Sequence, residues 1–178
     1  MPNRQPTLPD IWLISDARND AALERALARL PRGSGLVFRH YHLPPAERRA
    51  RFKDLARIAR RFGHVIVLSG TPREARRWKA VGAYGASSRL AQGPATLRLI
   101  TVHSLRELAE AHRARADMVL ISPVFATRSH PGGKTLGPTR FRLLAARAQV
   151  PAIALGGMTP HRARHLPTRK WAAIQAFT

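Results

Sequence analysis

Eight short runs rich in Val, Ile and Leu alternate with longer stretches of Ala, Arg and Leu along this 178-residue chain, and nothing else in the sequence constrains the fold so strongly. The apolar runs are 11-IWLIS-15, 35-GLVFRHY-41, 64-HVIVLS-69, 83-AYGAS-87, 98-RLITVH-103, 117-DMVLIS-122, 151-PAIAL-155 and 171-WAAIQAF-177. Each reads as a strand. Helices are expected over 20–30, 46–62, 72–81, 105–115, 138–148 and 160–166, while the connection 88-SRLAQGPATL-97 has room for a single turn of helix. The strands are apolar along their length rather than alternating, as in a parallel sheet covered on both faces. Alternating β and α units pair in parallel through right-handed crossovers. Eight of them imply a closed (β/α)8 TIM barrel, with a doubly wound open sheet as the alternative. No linker or low-complexity segment divides the chain, so one barrel domain over 1–178 is expected, with residues 1–9 flexible.

Two features strain that barrel. The chain is short for the fold, so its loops must be short too. The sequence also stops at Thr178, directly after the eighth run, so the final C-terminal helix is expected to be lacking. The outer side of the eighth strand would then be bare unless an N-terminal segment or a partner subunit covers it, and a homodimer is expected on that ground.

Composition narrows the function. There is no cysteine, which removes disulfides, thiolate zinc sites and a Cys nucleophile together. No apolar run approaches the roughly 18 residues that span a membrane, and MPNRQPTLPD lacks the apolar centre of a secretion signal, so a cytoplasmic protein is expected. The net charge is +21, from 27 Arg and 4 Lys against ten carboxylates. Such a charge favours anionic partners. The arginines, however, are spread over nearly every helix, as in 47-ERRARFKDLARIARR-61, and do not alternate with aromatics. They read as solvated outer faces, with steering of a phosphorylated small molecule as the functional alternative and no nucleic-acid partner expected.

In a barrel the chemistry sits at the C-terminal ends of the strands. After the seventh run comes 156-GGMTP-160, where Gly156 and Gly157 let backbone N–H groups approach an anion and Thr159 and Pro160 start a helix. After the sixth run a long loop carries Thr127, Arg128, Ser129, His130 and Lys134, a set suited to phosphate or pyrophosphate. Its glycines Gly132, Gly133 and Gly137 suggest a mobile flap. Thr101, His103 and Ser104 end the fifth run, and 39-RHYH-42 ends the second. The His pair could bind an anion or shuttle protons, but no metal site is expected there, because no carboxylate sits near it in sequence and a third ligand is wanting. Asp16 is the one carboxylate at the C-terminal end of a run, and no carboxylate pair suits acid–base work or Mg2+.

Taken together, IWLISD, TVHS, SPVFATRSHPG, LG, IALGGMTP and AAIQAF, in that order, resemble the thiamin phosphate synthase family and its thiazole tautomerase (TenI-like) relatives. The resemblance implies a (β/α)8 barrel. The synthase couples hydroxymethylpyrimidine pyrophosphate to thiazole phosphate, releasing pyrophosphate with Mg2+ assistance; the tautomerase isomerises a thiazole carboxylate phosphate. It also implies that Thr127 and Ser129 contact pyrophosphate, with Thr101 standing where the family has Ser in its S-x-H segment. Gly156 and Gly157 match the thiazole-phosphate turn, completed by Gln175 and Ala176, and Arg39 matches the Arg of the family's Q-x-R-E-K segment.

The departures are specific. Val37, His40 and Tyr41 replace the Gln, Glu and Lys of that segment, and Ser69 and Gly70 stand in place of the Asn-Asp pair that helps hold Mg2+. His130 replaces a family Lys, with Lys134 nearby, and Pro123 replaces the tautomerase base. The sequence therefore predicts a phosphate-binding barrel with catalytic candidates His130, Arg39 and His40, His42 as a further replacement base, phosphate ligands Thr101, His103, Thr127, Ser129 and Lys134, and no metal ligands of the family type. A synthase-like transferase is expected; a tautomerase-like isomerase and a non-catalytic phosphate-binding barrel are the alternatives.

Overall fold

A computed structural model describes residues 8–127 and 132–177. Its eight strands are β1 Ile11–Ile14, β2 Gly35–Phe38, β3 Val65–Ser69, β4 Gly82–Gly85, β5 Leu97–Val102, β6 Met118–Ile121, β7 Ala152–Leu155 and β8 Trp171–Ala173. All are parallel and ordered β1 to β8 in one closed barrel, shut by the pairs Ile11↔Trp171, Trp12↔Ala172 and Leu13↔Ala173. The open-sheet alternative is thereby excluded.

Continuous apolarity follows from what each face meets. Trp12, Ile14, Val37, Val67, Leu99, Leu120 and Ile153 point inward and fill the barrel. Their neighbours Leu13, Leu36, Phe38, Ile66, Leu68, Ile100 and Val119 point outward under the helices. The period of two is present, but both faces are dry, so the sequence shows no alternation. Gly35 makes room for the Trp12 ring, which a Cβ there would strike. The Trp12 indole N–H then donates to Pro9 O at 3.0 Å.

The helices are α1 Leu23–Arg29, α2 Pro45–Arg61, α3 Pro72–Trp78, α4 Ser87–Leu90, α5 Leu105–Arg113, α6 Gly137–Arg147 and α7 Pro160–Ala163, with a 3-10 turn over Ala17–Ala22 before α1. On α2, Phe52, Leu55, Ala56 and Ala59 form the buried stripe at helical spacing, half-buried Arg48 and Arg51 extend it toward the N-terminus, and Arg49, Arg57, Arg60 and Arg61 take the exposed faces. Economy comes from α4 and α7, each one turn long.

Three expectations shift. β2 stops at Phe38 instead of reaching Tyr41, because His40 adopts a left-handed φ of 45° that takes the chain off the extended path. β8 stops at Ala173 instead of Phe177, and no helix follows it among the described residues. The outer face of β8 is not bare at Trp171, since the Phe177 ring turns back to 4.8 Å from the Trp171 ring, which is 6% exposed. At the other end, Lys170 Nζ donates to Leu8 O at 2.9 Å. Residues 1–7 of the expected flexible segment lie outside the described residues.

Candidate functional site

The C-terminal ends of the strands open into one cavity of about 970 Å³. Of the site residues expected from sequence, Arg39, Thr101, His103, Thr127, Lys134, Gly156, Gly157, Gln175 and Ala176 line it together. His130 and Ser129, with Arg128, lie outside the described residues. His40 and His42 do not line it.

The two Gly-rich loops meet. Val124 N–H donates to Leu155 O at 2.9 Å and Phe125 N–H to Gly156 O at 3.1 Å, so the β6 loop is laid along the β7 turn. Gly156 and Gly157 have φ of 98° and 59°. A Cβ on Gly156 would stand 2.7 Å from Pro123 Cα, and one on Gly157 would run into Ala126 O. Loop packing alone therefore demands both glycines. Thr159 caps α7 as expected, accepting from Arg162 N–H at 3.2 Å. Arg162 donates from its guanidinium to Gly157 O at 2.5 Å and lies 4.7 Å from the Phe125 ring centre, which holds the cation at the rim. Farther along, the chain returns to the root of the β6 loop, with Leu136 N–H on Pro123 O at 2.8 Å and Gly137 N–H on Val124 O at 3.0 Å. That neck presents Thr127 and Lys134 to the cavity.

At β5, Thr101 Oγ1 donates to Gly85 O at 3.4 Å. His103 Nδ1 lies 2.6 Å from Ser122 O. A carbonyl only accepts, so Nδ1 carries the proton and Nε2 is the ring nitrogen left without this bond, on a residue that lines the cavity.

Behind β2 the structure corrects the sequence. Asp20, on the 3-10 turn after β1, stands with Oδ1 2.8 Å from His40 Nε2, so a carboxylate does sit beside 39-RHYH-42. Ligand atoms of Asp20, His40 and His42 lie within 4.8 Å of one another. Both nitrogens of His40 are nonetheless taken. Ser15 Oγ accepts from Arg39 N–H at 2.8 Å and so donates its own proton to His40 Nδ1, also at 2.8 Å, leaving Nε2–H to donate to Asp20. Arg51 Nε donates to the same Asp20 oxygen at 2.7 Å and pairs with Glu24 through its other arm. His40 is 1% exposed and stacked on Phe38 at 4.6 Å. Burial pushes its pKa below the usual value, against the pull of Asp20. Burial alone would raise Asp20, but hydrogen bonds from His40 and Arg51 hold it below the usual carboxylate range. His40 is thus buried behind the wall with both ring nitrogens engaged, and it does not line the cavity as the sequence expected of a catalytic candidate.

Several wall residues escaped the sequence reading: Tyr84 on β4, Ser88 and Arg89 on α4, and Arg162 on α7. Tyr84 is buried, which pushes its phenol up to about 12, so it is a neutral donor. Arg48 of α2 also went unnoticed. It donates to Arg39 O and Ser69 O at 2.8 Å each, and its guanidinium lies 5.3–5.7 Å from the ring centres of Phe38, Tyr41 and Trp78.

The Mg2+ that the resemblance implies needs hard oxygen ligands, carboxylates above all. No Asp or Glu lines the cavity among the described residues. Ser69 Oγ is engaged by the Tyr41 hydroxyl and its carbonyl by Arg48. At Gly70 a Cβ would stand 2.9 Å from Glu74 Oε2, the oxygen that receives both Thr71 N–H and Thr71 Oγ1–H to close the cap of α3. The residues present do not fit Mg2+.

Comparison with known proteins places this geometry. Residues 11–176 match the family described as thiamine monophosphate synthase. The chain is 36% identical over 94 residues to the thiamine-phosphate synthase of Chlorobium luteolum, covering 52% of this chain and 44% of that protein. It is 31% identical over 164 residues to a bifunctional thiamine biosynthesis protein of Symbiobacterium thermophilum, covering 85% of this chain and 33% of that protein. The chain thus spans less than half the length of these curated relatives. The thiamine phosphate pyrophosphorylase of Pyrococcus furiosus superposes with a TM-score of 0.79 over 96% of this chain and 88% of that one, at 20% identity, a likeness of fold. With the family match running from the first strand through the last, this chain belongs to the thiamine monophosphate synthase family.

Proposed function

We propose that the chain is a thiamin phosphate synthase-type transferase, joining hydroxymethylpyrimidine pyrophosphate to thiazole phosphate and releasing pyrophosphate. The observation that carries this reading is a single cavity lined by Arg39, Arg89, Lys134 and Arg162 with no carboxylate among its described lining residues, at the mouth of a barrel of this family. When the pyrimidine–oxygen bond breaks, negative charge grows on the departing pyrophosphate. Cations and hydroxyl donors fixed in place stabilise that charge without reorganising. Arg39, Thr101, Thr127 and Lys134 take the pyrophosphate in this proposal, together with Ser129 and His130. Gly156, Gly157, Gln175 and Ala176 take the thiazole phosphate.

The test is incubation of the full chain with both substrates, reading thiamin phosphate and pyrophosphate by chromatography and mass spectrometry. Formation of the two in equal amounts supports the synthase. Their absence, with the protein folded and both substrates bound, overturns it.

A second reading is favoured by His103. Its Nδ1–H is committed to Ser122 O, which leaves Nε2 to accept a proton at the wall, so the same cavity suits isomerisation of a thiazole phosphate. Conversion of the thiazole carboxylate phosphate tautomer without the pyrimidine substrate separates it from the synthase.

A homodimer and a cytoplasmic setting belong to the proposal as well. No helix among the described residues is long and apolar enough to cross a membrane. A shallow groove lined by Ile11, Ala163, Arg164, Leu166, Arg169 and Trp171 flanks the β1–β8 seam, where the proposal seats a second copy. Light scattering on the purified chain tests the dimer.

A further inference from the structure

Among the described residues, the wall of the cavity carries four cations, Arg39, Arg89, Lys134 and Arg162. None of the four is in an ion pair with a carboxylate among the described residues. The carboxylates nearest the strand ends are spent elsewhere. Asp16 holds Arg18 at 2.6 Å, Asp20 holds His40 and Arg51, Glu74 caps α3, and Glu107 receives His103 N–H at 3.0 Å. No Asp or Glu follows Asp117 in the sequence, so the β6, β7 and β8 loops contribute none, residues 128–131 included.

Scale decides whether the four act as one group. A sphere of 970 Å³ has a radius of about 6 Å, within the Debye length of about 8 Å at physiological ionic strength. A group at the centre therefore feels every cation on the wall, and neighbouring cations feel one another. Such a wall raises its own energy until an anion enters. A divalent metal would add to that repulsion and find no carboxylate to hold it.

We infer that this cavity binds the pyrophosphate group without a divalent metal, its arginines and lysine supplying the charge neutralisation that Mg2+ supplies to the pyrophosphate elsewhere in the family. The inference rests on the reading of the cavity as a phosphate-ester site. It assigns Arg89 and Arg162, which the family motifs do not mark in this sequence, to anion binding alongside Arg39 and Lys134. No bond is made or broken in this step. The anion enters, counterions leave, and affinity falls as salt rises.

The test is calorimetric titration of the full chain with inorganic pyrophosphate, once in metal-stripped buffer with EDTA and once with Mg2+ in excess over pyrophosphate. The expected result is one site per chain, with a Kd in EDTA equal to or tighter than that in Mg2+. Arg39→Met and Arg89→Met each weaken binding in EDTA by about tenfold or more, the loss expected for one charged hydrogen-bond partner. Arg57→Met removes an equal charge from the outer face of α2, where Arg57 pairs with Asp54, and leaves the Kd within about twofold, because screening isolates it. Binding that requires Mg2+, no binding in either buffer, or an equal loss in Arg57→Met and Arg89→Met overturns the inference. Product formation assayed in the same two buffers separates this from the proposed reaction. Thiamin phosphate made only with Mg2+ leaves the synthase standing and overturns the metal-free site. Metal-free pyrophosphate binding with no product in either buffer upholds the site and overturns the synthase.

Discussion

The His40 imidazole bridges Ser15 Oγ and Asp20 Oδ1, each at 2.8 Å, in a buried line that runs from the backbone of Arg39 to the guanidinium of Arg51. The line fixes the proton on Nε2 and holds the ring neutral. Burial is the leading cause of the depressed pKa, while Asp20 favours the cation and His42 and Arg51 oppose it. The unfolded chain therefore binds a proton at His40 more readily than the folded one. Stability from this residue is fully present above the usual value of 6.5 and is lost as pH falls from there toward the lower folded pKa. Thermal melts of the wild type and of His40→Gln between pH 7.5 and 5 should converge as the pH drops; parallel curves would remove the buried neutral His. His40→Ala leaves Ser15 and Asp20 unpaired and should cost about 1–3 kcal/mol, or about 2–4 °C in Tm per kcal/mol.

The Gly157 φ of 59° and the closeness of Ala126 O make that glycine a packing requirement first. Gly157→Ala should lower stability by about 1–3 kcal/mol, from a strained backbone and a displaced β6 loop. Because the same loop presents Thr127 and Lys134, pyrophosphate affinity should fall with it. Denaturant titration and calorimetry read the two losses. Lost affinity at unchanged stability would assign Gly157 to the ligand and not to the loop.

The barrel was legible because each strand announces itself locally. VIVLS and DMVLIS need no partner to be read as buried, and the Thr71, Ser104 and Thr159 caps mark helix starts within three residues of their bonds. What joins distant segments was not legible. Asp20 reaches His40 across twenty residues and Arg51 across thirty-one, and no periodicity encodes either spacing. Arg48 looked like any other base on an Arg-rich helix until α2 laid it across the ends of β2 and β3. Arg89 and Arg162 stood in segments whose local signal was only a short helix, so only barrel closure turns them toward one cavity.

Arg48 is expected to act as a positioning residue for Arg39. It clamps Arg39 O and Ser69 O while its face lies against Tyr41 and Trp78. Arg48→Met keeps most of the packing volume but removes both charged hydrogen bonds, at a cost of about 1.5–3 kcal/mol for each bond that water does not replace. Chemical denaturation measures the loss. Arg48→Lys restores the charge without the planar fork and should recover less than half of it, because one ammonium cannot reproduce the two-carbonyl geometry. Full recovery by Lys would mean that charge alone, not the fork, matters at this position.

His103 offers the sharpest separation of binding from chemistry. Its main-chain N–H is held by Glu107 and its Nδ1–H by Ser122 O, so the ring is fixed from two sides with Nε2 left over at the cavity wall. If Nε2 takes a proton in the reaction, His103→Gln should lower kcat by about 100-fold or more while KM moves little, since the cations that hold the phosphate are untouched. If His103 only binds an anion, the same variant raises KM and spares kcat. Steady-state kinetics on both candidate substrates therefore tells a proton acceptor from a phosphate ligand. A His103→Gln enzyme with wild-type kcat in either reaction would remove it as the base for that reaction.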